Sequence, residues 1–262
     1  MNSKLLLTYQ QFSKLRRRVP YTYVLSKNNQ YLYYFGGNHS RNYTNKQYQV
    51  LQEFWNDFLK QTKDLPQVVM VEGGLAPAYA TKKMAVEKSA ENGFVSFLAR
   101  HKHIKPISPE PNLQFEGQEL MKKYSQDEIE YYYFARVAYQ WNTLPTQRPT
   151  FINYVNGFLE KDKKGLSWKN YDFSIEQILA IHERMFHTNF KAENKTFFNN
   201  LLNPYKTTKV NRIAAASGRI RDLHILKEIE RYWQQGKNIF IAYGSAHAIM
   251  QEKVLRNLVI KE

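Results

Sequence analysis

Four short apolar runs in this chain end in residues that carry chemistry, and helix-spaced segments separate them. Residues 31–35 lead into Gly36-Gly37-Asn38-His39. Residues 68–71 end in Glu72-Gly73-Gly74. Residues 104–108 end in Pro109-Glu110-Pro111, and residues 238–243 lead into Gly244-Ser245-Ala246-His247. Runs this short and this apolar suit strands buried on both faces. Between them, residues 45–60 place Val50, Leu51, Phe54, Trp55, Phe58 and Leu59 at helical spacing. Residues 78–99 read as a helix broken near Asn92-Gly93, and residues 219–235 and 246–257 read as helices around the last run. The alternation predicts an α/β fold, with a mainly parallel central sheet flanked by helices. Leu258-Val259-Ile260 reads as a last short strand. In open sheets of this kind the ligand crevice lies outside the carboxyl ends of the strands. Two histidines and two carboxylates at four such ends are therefore expected to meet.

The middle of the chain has a different texture. Residues 116–141 mix tyrosines with charges, and Glu130-Tyr131-Tyr132-Tyr133-Phe134 sits within a helical pattern. Pro145 and Pro149 mark a turn, 151–160 reads as a short helix, and Lys161-Asp162-Lys163-Lys164-Gly165 reads as a polar loop. Ser174 is placed to cap a helix over 174–187, with Gln177 three residues on. No strand pattern is visible between 112 and 210. Residues 1–111 and 211–262 are thus expected to form the α/β core, with 112–210 as a helical insertion or cap, all within one compact domain.

Composition removes several chemistries. The chain has no cysteine, so disulfides, thiolate metal sites and cysteine nucleophiles are out. No run approaches the ~18 apolar residues of a membrane span. The first thirty residues lack the order of a signal peptide, since Arg16-Arg17-Arg18 follows Leu5-Leu6-Leu7. A cytoplasmic protein without a membrane span is expected. The formal net charge of +15 comes from 38 Lys and Arg against 23 Asp and Glu. These cations are spread along the chain and no nucleic-acid motif accompanies them, so a solvated basic surface is the favoured reading. The expected partner is a small molecule or peptide. No nucleophile elbow, phosphate-binding loop or dinucleotide-binding turn occurs.

Each candidate residue has its own rationale. A chain leaving a buried strand sharply needs positive φ or close packing, which Gly36 and Gly244 permit. Glu72 closes an apolar run, and a carboxylate there must be paired, metal-bound or protonated. Glu110 is held between two prolines in an extended loop. Arg221-Asp222 opens the helix before the second histidine motif. There, Ser217 reads as a helix cap and Asp222 as a residue suited to the helix dipole. His182 and His187, five apart, do not share a helix face.

Gly36-x-x-His39, strand-end Glu72, Arg221-Asp222 and Gly244-x-x-His247 together resemble the superfamily that joins TraB and TIKI proteins to erythromycin esterases and ChaN-type proteins. The resemblance covers about 31–110 and 213–258. It implies hydrolysis at a His/Glu site, either metal-dependent and peptidase-like or esterase-like with a histidine activating water. ChaN-type relatives imply ligand or haem binding instead. TIKI members are membrane-anchored or extracellular, and this chain shows neither anchor nor signal. The expected function is therefore a hydrolase acting on a peptide, amide or ester bond. Water would be activated by a divalent metal (Zn, Mn, Co or Fe) held by His39, Glu72 and His247, or by His39 as a general base. Arg221 would stabilise developing negative charge, with Glu110 as a further carboxylate. The alternative is a non-catalytic binding protein for an anionic ligand such as a tetrapyrrole.

Overall fold

A computed structural model describes residues 2–16, 18–144 and 147–261. Arg17 of the basic cluster and Pro145 of the expected turn lie outside the described residues. The chain divides into two compact units. One comprises residues 1–110 and 222–262, and the other residues 111–221.

The first unit is built on a five-stranded sheet. Strands β1 (Tyr21–Lys27) and β2 (Gln30–Gly37) form an antiparallel hairpin; β3 (Gln67–Val71), β4 (Pro106–Ile107) and β5 (Asn238–Gly244) complete the order β1-β2-β5-β3-β4. Pairing from β2 through β4 is parallel. The pleat sorts the apolar runs onto two faces. Tyr33, Phe35, Val69, Val71, Phe240 and Ala242 pack under α2 (Gln47–Gln61) and α3 (Lys82–Arg100). Leu32, Tyr34, Val68, Met70, Ile239, Ile241 and Tyr243 face the opposite way, packing in one cluster with Phe12 of α1 (Tyr9–Ser13), α10 (Ser245–Lys261) and residues 225–233. Burial on both sides explains why these runs are continuous rather than alternating.

Two departures from expectation concern this sheet. The hairpin strand β1 was not expected. It pairs with β2 through Asn28-Asn29, both with positive φ, which is the backbone of a tight two-residue turn. Leu258-Val259-Ile260 is not a strand but the last full turn of α10, where Leu258 and Val259 bury against the core. With β1 at one edge and β4 at the other, the helix continues to cover a face of the sheet.

The second unit is helical, with no strand among its described residues. It contains α4 (Leu113–Met121), α5 (Gln126–Thr143), α6 (Phe151–Leu166), α7 (Ile175–Phe186), α8 (Lys195–Leu202) and the first half of α9 (Lys209–Gln234). Side-chain caps set several starts: Ser125 with Glu128 forms a capping box on α5, and Ser174 accepts the Gln177 N–H to open α7. The stretch 161–165, expected as a loop, is the last turn of α6. Leu166 anchors it in the core, Asp162 is buried, and Lys163 and Lys164 suit the carboxyl end of the helix. α9 starts ten residues earlier than the 219 expected, so Ser217 is not a cap. It lies inside the helix and donates to Glu116 at 2.6 Å, while Tyr132 donates to it at 3.0 Å. The division between units falls within α9. Val210, Ile213 and Ala214 join the helical unit's core, and Ile225, Leu226, Ile229 and Trp233 join the α/β core.

Candidate active site

Parallel strands β2 and β5 are neighbours, with Gly37 opposite Gly244 in their register. The chain leaves β2 toward α2 on one face and leaves β5 toward α10 on the other. The same divergence separates β5 from β3. Connections that part to opposite faces open a crevice at the strand ends. The two Gly-x-x-His motifs and Glu72 sit at that crevice.

The first motif places His39 in the left-handed region, φ +57°, a conformation a non-glycine residue keeps only when its surroundings hold it. Glu91 does the holding. Its Oε1 accepts the His39 backbone N–H at 2.7 Å, and its Oε2 lies 3.3 Å from His39 Nδ1. Glu91 is buried, at 3% exposure, and comes from α3 just after a break. Ser89 and Ala90 leave helical geometry there, with Ala90 at φ +47°. Space for this arrangement requires glycine at two positions. A Cβ on Gly37 would stand 2.3 Å from the Glu91 carboxylate, and one on Gly244 would stand 2.6 Å from His39 Nε2. Gly36, the first motif's own glycine, is equally crowded, with its Cβ position 2.8 Å from the Ala248 Cβ, so close packing rather than positive φ is why the motifs carry glycine.

The second motif puts His247 in the first turn of α10. Its Nδ1 donates to Asp222 Oδ1 at 2.6 Å, and Gln251 donates to the same oxygen at 2.6 Å while accepting from the Tyr34 hydroxyl at 2.9 Å. Asp222 is fully buried. Glu72 lies between the two imidazoles. Its Oε2 accepts the Gly244 N–H at 2.6 Å and lies 3.6 Å from His39 Nε2; its Oε1 lies 3.6 Å from His247 Nε2. Asn92 fixes the turn after Glu72 by donating to the carbonyls of Glu72 and Gly74 at 2.5 and 2.7 Å.

These contacts set the charges. Burial opposes ionisation of Glu72, but the two histidines and the Gly244 N–H outweigh it and hold the carboxyl down at about 2. Burial likewise opposes charge on His247, yet Asp222 and Glu72 push the imidazole up to about 10. For His39, the Glu91 contact raises the pKa above the ordinary 6.5; burial acts against it and the Glu72 charge adds to it. At neutral pH the site thus holds ionised Glu72 beside a charged His247.

His39, Glu72 and Glu91 line a cavity of about 420 Å³, together with Arg41, Gly73, Lys88, Asn92 and the end of β5. Among the described residues, no group of three or more His, Cys, Asp or Glu side chains is gathered to hold a metal ion. Glu110, the last residue of the first segment, is half-buried and does not line the cavity. Arg221 belongs to the helical unit, where its charge is felt by Arg136. The adjacent Asp222, read from sequence as a helix-dipole residue, is instead the partner of His247. Glu91 and Asn92 were not foreseen as site residues. Their only sequence signal is polarity on a helix that must bury one side. His182, buried in the helical unit, shares a hydrogen bond with the Tyr131 hydroxyl at 2.6 Å and packs among Phe186, Phe190 and Phe197.

Comparison with protein-family models, curated proteins and solved structures finds no match to this chain. The resemblance drawn from the paired motifs rests on those motifs alone. No described helix is long and apolar enough to cross a membrane.

Proposed function

We propose that the protein is a hydrolase in which His39 acts as general base on water attacking an ester, amide or peptide carbonyl. The observation that carries this reading is the Glu91–His39–Glu72 arrangement at the wall of an open cavity. A general base needs access to its substrate and a pKa near the working pH. Glu72, held at about 2, is too weak a base, and His247, held at about 10, keeps its proton. His39 is the most accessible of the three, with a side chain 57% exposed against 14% for His247 and 20% for Glu72.

In this reading Glu91 orients the ring through Nδ1, leaving Nε2 to take the water proton as the oxygen attacks. The proton then passes to the departing alkoxide or amine, giving an acid and an alcohol or amine. His247, fixed by Asp222, keeps positive charge beside Glu72 and near the developing oxyanion. The test is turnover of a panel of esters, amides and peptides by the parent and by His39→Ala. Activity in the parent that survives His39→Ala removes the proposal.

A metal-dependent route is the second reading, favoured by one observation. Both histidines have Nδ1 held by a carboxylate, as metal-ligating imidazoles usually do. The ion would need His39, Glu72 and His247 drawn together beyond their present arrangement and His247 without its second proton, and it would then supply an acidified water. Chelation separates the routes: it leaves a histidine-based activity intact and abolishes a metal-based one.

A further inference from the structure

The charges around the cavity are unevenly used. Glu72 and Glu91 present four carboxylate oxygens, and each faces a histidine ring nitrogen or a backbone N–H. Two cations line the same cavity, Arg41 from the loop after His39 and Lys88 from the turn before the break in α3. Neither side chain has a hydrogen bond or ion pair with another described residue, and both are exposed. Unpaired lysines and arginines are ordinary on a chain with 38 of them. These two differ in flanking a cavity whose carboxylates face the histidines and backbone N–H groups rather than the two cations. A guanidinium and an ammonium so placed, with no internal counter-charge, suit an anionic oxygen group on a ligand.

We propose that the cavity selects substrates carrying a carboxylate or phosphate group, held by Arg41 and Lys88 while the scissile carbonyl lies over His39. This rests on the hydrolase reading for its catalytic half, but the anion site stands on the two cations alone. The break at Ser89–Ala90 matters here. It ends the first half of α3 at the cavity, so Lys88 reaches it from one helical segment while Glu91 holds His39 from the next.

Two measurements test the proposal together. The first compares kcat/KM for 4-nitrophenyl butyrate, the mono-4-nitrophenyl ester of succinate and the 4-nitrophenyl ester of 3-phosphonopropionate. The parent is expected to favour at least one anionic ester by about tenfold, through KM. The R41A/K88A double variant should bring that ratio close to one. K63A/K102A, which removes the same charge from exposed sites outside the cavity, should keep it. The second measurement titrates inorganic phosphate, succinate and neutral dimethyl succinate into the parent and both double variants by calorimetry. Binding of phosphate or succinate, but not the diester, should weaken about tenfold or more in R41A/K88A only. The anion preferred identifies the substrate class. If no ester is turned over, the hydrolase reading fails and calorimetry alone decides the anion site. A parent that neither prefers nor binds any anion overturns the proposal. So does equal loss in the two double variants, which would assign the effect to the overall field of a basic protein.

Discussion

The two Gly-x-x-His motifs are spelled alike and end neighbouring parallel strands, yet their histidines live in different physical states. His39 sits in a loop, in a left-handed conformation, with an exposed ring and a carboxylate on each side. His247 lies in the first turn of a helix, nearly buried, locked to a fully buried aspartate. In the proposed function the first exchanges a proton and the second keeps one. The difference shows that a motif fixes where a side chain emerges, while the partners reaching it from elsewhere in the chain fix what it does.

The largest effect should come from the exchanging histidine. His39→Ala should lower hydrolysis by about 10²–10⁴-fold and leave thermal stability nearly unchanged, since the ring is exposed. Asp222→Asn should come next. With its buried counter-charge gone, His247 should titrate well below its present value of about 10. The alkaline limb of the pH–rate profile should move down with it, cutting activity at pH 8–9 about tenfold. An NMR titration of the His247 ring checks this directly. An unmoved titration would break the contrast between the two histidines.

Glu91→Gln should lower the other histidine in the same way, but at the acid limb of the profile. Glu91 raises His39, so the acid limb should shift to lower pH while the maximal rate falls, by about tenfold, from loss of orientation. Failure of the limb to move would mean that Glu91 only holds the backbone N–H. The smallest effect should be on stability. Because the folded pKa of His247 lies above 6.5, its stabilisation is fully present below pH 6.5 and is lost as pH rises through about 10. Glu72 behaves oppositely: its contribution is present above 4.5 and is lost as pH falls toward about 2. Melting temperatures across this range should show a shallow alkaline decline that His247→Ala removes.

Much of the α/β unit was legible because its strands are buried on both faces and write continuous apolar runs, and because glycine marks where each run turns out of the sheet. The hairpin strand β1 was harder. Val24 is exposed and Tyr23 and Leu25 are buried, so only weak alternation and the Asn28-Asn29 turn announce it. The triplet 258–260 misled because three apolar residues fit a strand and the last turn of a helix equally well. Within the site, His39, Glu72 and His247 sit at strand ends where their chain neighbours signal them. Glu91 and Asp222 are carried on helices and reach the histidines across the fold, from 52 and 25 residues away. Nothing local distinguishes them from surface carboxylates. The break in α3 was expected near Asn92-Gly93 and occurs at Ser89–Ala90. A Cβ on Gly93 would stand 2.1 Å from the Ala85 carbonyl oxygen, so that glycine is what lets the two segments close up.

That break has a consequence for how such a protein can diversify. Lys88 and Glu91 are three positions apart in sequence but belong to separately oriented helical segments. A continuous helix would tie them to one rigid rotation, so any change at Lys88 would drag the carboxylate that holds His39 with it. Here Ala85 and Val86 anchor the segment bearing Lys88 in the core, and its exposed positions can be recharged while Glu91 keeps its grip on His39. Under the proposed function, directed mutagenesis of the exposed positions within 82–88 can therefore explore new ligands at constant chemistry.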